Sequence, residues 1–190
     1  MANLISLDTY KQAKALTSTK EDDRLNYLIT AVSQLIKTYC NTALIDYVST
    51  AYTEYISIDG TSITVQLTES PVIEIEEVWV RPSPIEEYTR LLSTEFVLNK
   101  RTDSLTRVGG KWPTGVESVM IVYTAGYVTV PVDLALAVVD LVSYYFKEEY
   151  KAVKSMGGAS IQNSTTSTLT GNTDFPDHIK RVLDLYRQIT

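Results

Sequence analysis

Val119-Met120-Ile121-Val122-Tyr123-Thr124-Ala125-Gly126-Tyr127, continued by Val130-Pro131-Val132-Asp133-Leu134, is the passage on which the fold turns. Residues 119–123 are apolar at almost every position, the pattern of a strand covered on both faces and therefore central in a sheet. Pro131 and Asp133 then open a helix. A proline in the first turn gives up no helical hydrogen bond, and a carboxylate suits the positive end of the helix dipole. Leu134, Val138, Leu141, Val142 and Tyr145 form a stripe that Ala135, Val139 and Phe146 widen, so this long core helix, expected over residues 129–153, packs on more than one neighbour. Packed helices carrying an antiparallel β-rich insertion make the expected class α+β.

Upstream of that passage, residues 43–127 read as an antiparallel β-rich insertion. Ile56, Ile58, Ile63, Val65 and Leu67 alternate with Ser57, Thr64 and Gln66 around Asp59-Gly60, a dipeptide that favours a hairpin between the two runs. From Val72 the alternation slips by one residue at Glu76-Glu77, which predicts a bulge. Arg81-Pro82-Ser83-Pro84 ends that strand, because proline donates no ladder hydrogen bond. Weaker strands follow over residues 95–99 and 105–108, and residues 109–115 are a turn cluster.

The outer segments are helical. Within residues 1–42, Ser6 caps a short helix over 7–16, and a second helix begins near Lys20. Leu25, Leu28, Ile29, Val32, Leu35, Ile36, Tyr39 and Cys40 share one face of that second helix. Residues 154–173 are rich in Gly, Ser, Thr and Asn and are expected to form a flexible linker in the isolated subunit. Residues 174–190 then form a docking helix, capped by Asp174, with Ile179, Val182, Leu183 and Tyr186 on one side. The whole is expected to be a single domain, 1–190: a small helical bundle of two N-terminal helices, one long central helix and one C-terminal helix, carrying the β-rich insertion.

Composition narrows the functions. The 190 residues hold 17 Lys+Arg against 23 Asp+Glu, a net charge of −6, with a pI near 4.8. This balance argues against a non-specific nucleic-acid or membrane-surface binder, whose affinity comes from clustered cations. One cysteine, Cys40, and one histidine, His178, exclude an internal disulfide and the usual zinc and iron–sulfur ligand sets, and a reduced or redox-indifferent compartment follows. Met1-Ala2-Asn3-Leu4-Ile5 has no signal-peptide pattern, and residues 128–142, the most apolar stretch, are broken by Pro131, Asp133 and Asp140.

No catalytic constellation emerges. Glu76-Glu77, Glu86-Glu87 and Glu148-Glu149 are sequence neighbours whose side chains diverge, so they cannot converge on one bond. Gly109-Gly110-Lys111 lacks the leading glycine and trailing Ser or Thr of a phosphate loop. Cys40 lies on an apolar face and reads as a small buried hydrophobe, and His178 reads as a surface or interface residue. The 13 tyrosines, Tyr144, Tyr145 and Tyr150 among them, and the tethered terminal helix point instead to assembly.

The order of these parts resembles the head–tail connector (adaptor, head-completion) proteins of tailed bacteriophages. The carrying residues are Leu4-Ile5-Ser6-Leu7-Asp8, Glu21-Asp22-Asp23-Arg24-Leu25, the helix ending Tyr39-Cys40-Asn41, and Lys111-Trp112-Pro113. The strand–Ala-Gly-Tyr–proline–helix passage quoted first, and Phe175-Pro176-Asp177-His178-Ile179 to Leu185-Tyr186-Arg187, complete the likeness. It implies a structural subunit of the virion neck, with no enzyme activity and no cofactor. It also implies assembly in the host cytoplasm as a ring, typically a dodecamer, beneath the portal protein. Such a ring extends the DNA channel, lets genomic DNA pass without sequence-specific binding, and offers a platform to the tail or stopper protein; no membrane partner is implied.

On this reading Phe175, Ile179, Val182, Leu183 and Tyr186 are expected to be apolar anchors for the portal or a neighbouring subunit, with Lys180, Arg181 and Arg187 meeting acidic partners. A tail-completion or tail-terminator subunit is the nearest alternative. A β-rich carbohydrate-binding module is a second, its aromatic platform formed by Trp79, Trp112 and exposed tyrosines.

Overall fold

The computed structural model describes residues 2–149, 153–156, 159–162 and 175–188 and divides into two compact units. The class is α+β, with four helices and antiparallel sheets.

The first unit comprises residues 1–41 and 130–187. Helix α1, Leu7–Ala13, starts where Ser6 Oγ accepts the Thr9 N–H at 3.1 Å. It stops short of Leu16 because Ala15 takes a φ of 52°, outside helical space. Helix α2, Asp22–Cys40, ends at Asn41, whose left-handed backbone (φ 53°) closes it. Its buried Leu25, Ile29, Val32, Ile36 and Cys40 follow the expected spacing, but Leu35 is exposed. The N-terminal arm lies along α2: the Leu4 N–H donates to Ser33 Oγ at 3.0 Å, and buried Lys37 donates from Nζ to the Ala2 carbonyl at 2.7 Å.

Helix α3, Val132–Phe146, packs against α2 and is all but fully apolar inside. Tyr10 and Ser143 join α1 to α3 through their hydroxyls at 3.1 Å, and Lys14 pairs with Asp140 at 3.0 Å. The expected extent to residue 153 is not reached. Glu148 adopts a φ of 57°, which terminates the helix after its Lys147 cap. Within the stretch expected as a linker, the described residues include part of β8 (Val153–Met156) and all of β9 (Ala159–Gln162), which pair antiparallel. The rest of the expected linker, and the expected cap Asp174, lie outside the described residues. Helix α4, Asp177–Asp184, completes this unit against α3 and α2.

The second unit, residues 42–129 with the last three, holds two sheets. In the first, β7 (Gly115–Ala125) is central, flanked by β1 (Tyr52–Ile58) and β3 (Val72–Val80), with β4 (Thr89–Arg90) beyond β3. Glu76 is the extra residue in β3 where the register slips between Ile75 and Glu77, the bulge the alternation predicts. The second sheet has the order β2 (Thr64–Gln66), β6 (Ser104–Arg107), β5 (Phe96–Asn99).

The hairpin expected at Asp59-Gly60 does not form: β1 pairs with β7 and β2 with β6. Non-local partners take the connecting backbone, the Ile63 carbonyl accepting the Arg107 N–H at 2.8 Å and the Ser62 carbonyl accepting the Trp112 N–H at 2.9 Å. Val78, Val119, Ile121, Tyr123, Leu105 and Leu67 form the core here. Three carboxylates hold the loops around it. Glu54 accepts from the Tyr123 hydroxyl at 2.6 Å and from Thr68, Glu69 from Thr42 and the Ala43 N–H, and Asp103 from Ser70 and the Val72 N–H.

Candidate interaction surfaces

Among the described residues no group of three or more His, Cys, Asp or Glu is placed to hold a metal ion, and no helix is long and apolar enough to cross a membrane. The surfaces with distinctive chemistry are α4 and the outward face of the four-stranded sheet.

Helix α4 alternates apolar and polar residues at helical spacing, and its apolar side is already used. Ile179 and Leu183 are 2% and 0% exposed, and Phe175 stands edge-on to Tyr39 with ring centroids 5.2 Å apart. The Cys40 thiol lies 3.7 Å from the Leu183 carbonyl. Tyr39 donates its hydroxyl to Asp184, Tyr186 donates to Asp133 at 2.6 Å, and the Arg187 guanidinium sits over the Tyr39 ring at 5.6 Å. Phe175, Ile179 and Leu183, expected as anchors for a partner, are buried within their own unit, which covers the apolar stripe in the isolated chain. Val182 and Tyr186 are half-buried, Lys180 likewise, while Arg181 and Arg187 face solvent. Leu185, 76% exposed, is the apolar residue that helical periodicity passed over.

Burial holds the groups beneath α4 neutral. Desolvation, then the nearby Asp184 charge, pushes the Cys40 thiol up to about 12 from an ordinary 9.0. Burial and then the hydrogen bond to Asp184 likewise push Tyr39 up to about 12. These groups ionise more readily in the unfolded chain, so their contribution is intact below pH 9 and falls as pH rises from there towards 12. Cys40 alone should cost up to about 1.4 kcal/mol per pH unit across that window. Urea midpoints compared between pH 8 and pH 10.5 should fall less for Cys40→Ala than for the native chain; parallel declines would refute this assignment.

On the four-stranded sheet, the register aligns Tyr55, Met120, Trp79 and Arg90 in one row across β1, β7, β3 and β4. Tyr55 is 53% exposed. Glu77 fixes the other end, accepting from Trp79 Nε1 at 3.0 Å and pairing with Arg90 at 3.1 Å. Tyr88 lies beside Tyr55, with the Arg81 guanidinium over its ring at 4.6 Å. Trp112 is not part of any platform: it is 2% exposed and donates Nε1 to the Ile63 carbonyl at 3.0 Å. The carbohydrate-module alternative thus loses one of its two tryptophans. Among the described residues no reactive set converges on either surface; Glu77 holds Trp79 and Arg90, while Glu148 and Glu149 pair with Arg24 and Lys147.

Similarity to known proteins bears on what binds these surfaces. The family model described as "Head completion protein" matches residues 3–189. The head completion protein of Escherichia phage T5 is 28% identical over 64 residues, 34% of this chain and 35% of that protein, so the match spans about a third of the curated relative. Among solved structures, a chain in the neck of an empty GTA particle computed with C6 symmetry superposes with a TM-score of 0.63 at 17% identity, covering 98% of this chain and 91% of that one. A chain in the neck of a native GTA particle computed with C12 symmetry gives a TM-score of 0.57 at 16% identity, covering 100% and 95%. At such identities the likeness is one of fold.

Proposed function

The chain belongs to the head completion protein family, and from that premise we propose that it is a ring-forming connector beneath the portal, which extends the DNA channel and carries the tail attachment platform. It is a structural protein of the virion neck, between head and tail, and not an enzyme. The observation that carries the ring reading is the fold shared over 98% and 100% of this chain with neck subunits from particles computed with C6 and C12 symmetry. In that arrangement the helices form a small bundle around α3, from which the β-rich unit is inserted.

The charge supports passage rather than retention of DNA. With a net charge of −6, a lumen wall short of cations repels phosphates and lets the duplex slide. Since the apolar side of α4 is internal, contact with the portal falls to its outward residues, Arg181, Leu185 and Arg187, with Lys180 and Val182 at the margin. Arginine is enriched among interface anchors, and the exposed Leu185 adds apolar area beside it.

Mass photometry of the purified chain with and without portal is the test. A closed ring of copies should appear on the portal. Arg181→Glu combined with Leu185→Ser should reduce its occupancy at least tenfold while leaving the thermal melt unchanged. Portal complexes that bind the chain one copy at a time, without closure, would overturn the ring.

A further inference from the structure

Among the described residues, two strands with one open edge each, β1 and β9, are complementary. Strand β1 stands at the end of its sheet: β7 pairs with one edge, and among the described residues no strand pairs with the other. An open edge of seven residues is a template for another chain, and soluble proteins blunt such edges with lysine, proline or a stranded inward charge. Tyr52-Thr53-Glu54-Tyr55-Ile56-Ser57-Ile58 has neither lysine nor proline. Glu54 does point inward, but its carboxylate already accepts from the Tyr123 hydroxyl and the Thr68 N–H, so a strand laid alongside strips no unpaired charge of water. The residues turned to solvent, Thr53, Tyr55 and Ser57, are uncharged.

The second feature is the β8–β9 pair, which forms a sheet of two strands with four residues each. Two strands alone are marginally stable in water and gain most from a third. Strand β8 contains Lys154, the commonest guard of an edge. Strand β9, Ala159-Ser160-Ile161-Gln162, carries no charge.

We infer that β9 of one copy adds to the free edge of β1 in the next copy, so that each subunit is at once donor and acceptor. This rests on the ring reading and deepens it. A closed cyclic assembly requires a heterologous interface, two different surfaces on every copy, and an unguarded donor strand with an unguarded acceptor edge supplies such a pair. Main-chain hydrogen bonds then hold the ring together, which explains why neither partner strand needs a distinctive side-chain motif.

The test is disulfide trapping in particles assembled with the full-length chain carrying Thr53→Cys and Ser160→Cys, with Ser57→Cys and Ser160→Cys as a second pair two same-face positions along the strand. Native Cys40 is buried and adds no background. Oxidised particles should give, on non-reducing gels, a ladder extending beyond dimer for at least one pair. A mixture of the single variants should stop at dimer, and each single variant alone should give none. A fast-migrating monomer would mean that β9 pairs within its own chain, and this overturns the inference. Native particles treated with an amine-reactive crosslinker separate the two readings: a lysine ladder without a disulfide ladder leaves the ring standing and removes the strand exchange, while neither ladder removes both.

Discussion

Replacing Gly126 by alanine is expected to destabilise the β-rich unit by about 3 kcal/mol, a loss in the range reserved for strained backbone and broken buried hydrogen bonds. Gly126 adopts a φ of +110°, where an L side chain is strained whatever the space around it. A Cβ there would also stand 2.3 Å from the Leu44 carbonyl oxygen and 3.0 Å from its carbon. Neither side can retreat cheaply. The same Leu44 oxygen accepts the Tyr127 N–H at 2.7 Å, and the Gly126 N–H donates to the Pro71 carbonyl at 2.8 Å. Relief by backbone movement therefore breaks a buried hydrogen bond, adding roughly 1 kcal/mol or more to the conformational strain. Gly110→Ala is the internal control, since its φ is unremarkable and a Cβ would meet nothing within 4 Å. Equal denaturant midpoints for the two variants would show that the close approach to Leu44 does not matter.

That glycine also shows what could be read from the chain beforehand. Apolar residues at almost every position of 119–123 mark a central strand, and the neighbours of β7 are β1 and β3; of these five residues only Val119, Ile121 and Tyr123 are buried, while Met120 and Val122 lie half-buried on the outward face. The bulge at Glu76 was legible because a one-residue slip reverses which side chains face inward. Partner choice was not legible. Asp59-Gly60 signals a turn, and Gly60 does take a φ of +76°, but whether the following strand returns to β1 depends on β6 and Trp112, residues far along the sequence. Helix ends were equally opaque where an ordinary residue closes them: nothing in Ala15 or Glu148 announces a positive φ. For the candidate surfaces, periodicity located the apolar stripe of α4 but could not say what covers it. A stripe of Phe175, Ile179 and Leu183 has the same sequence whether it faces a partner or its own unit. The outward row on the sheet needed the cross-strand register, which no local pattern contains.

Leu183→Ala separates those two possibilities, and its effect should match the first in size. Leu183 is fully buried in α4, and truncating such a leucine removes transfer energy and leaves a cavity, typically about 3 kcal/mol. Because α4 has eight residues and depends on packing for its helicity, much of that loss should appear as local opening of α4. Cys40 reports it directly. In the native chain its thiol lies against the Leu183 carbonyl, buried and held neutral, so a thiol reagent at pH 8 should react slowly. In Leu183→Ala the rate should rise by up to about a hundredfold, the factor that 3 kcal/mol of easier opening allows. Arg181→Glu, an outward substitution on the same helix, should leave the rate unchanged. If α4 instead spent most of its time away from its unit with its stripe free for another molecule, Cys40 would react fast in the native chain and Leu183→Ala would change little. The anchors would then return to the portal interface, and the outward arginines would lose their claim to it.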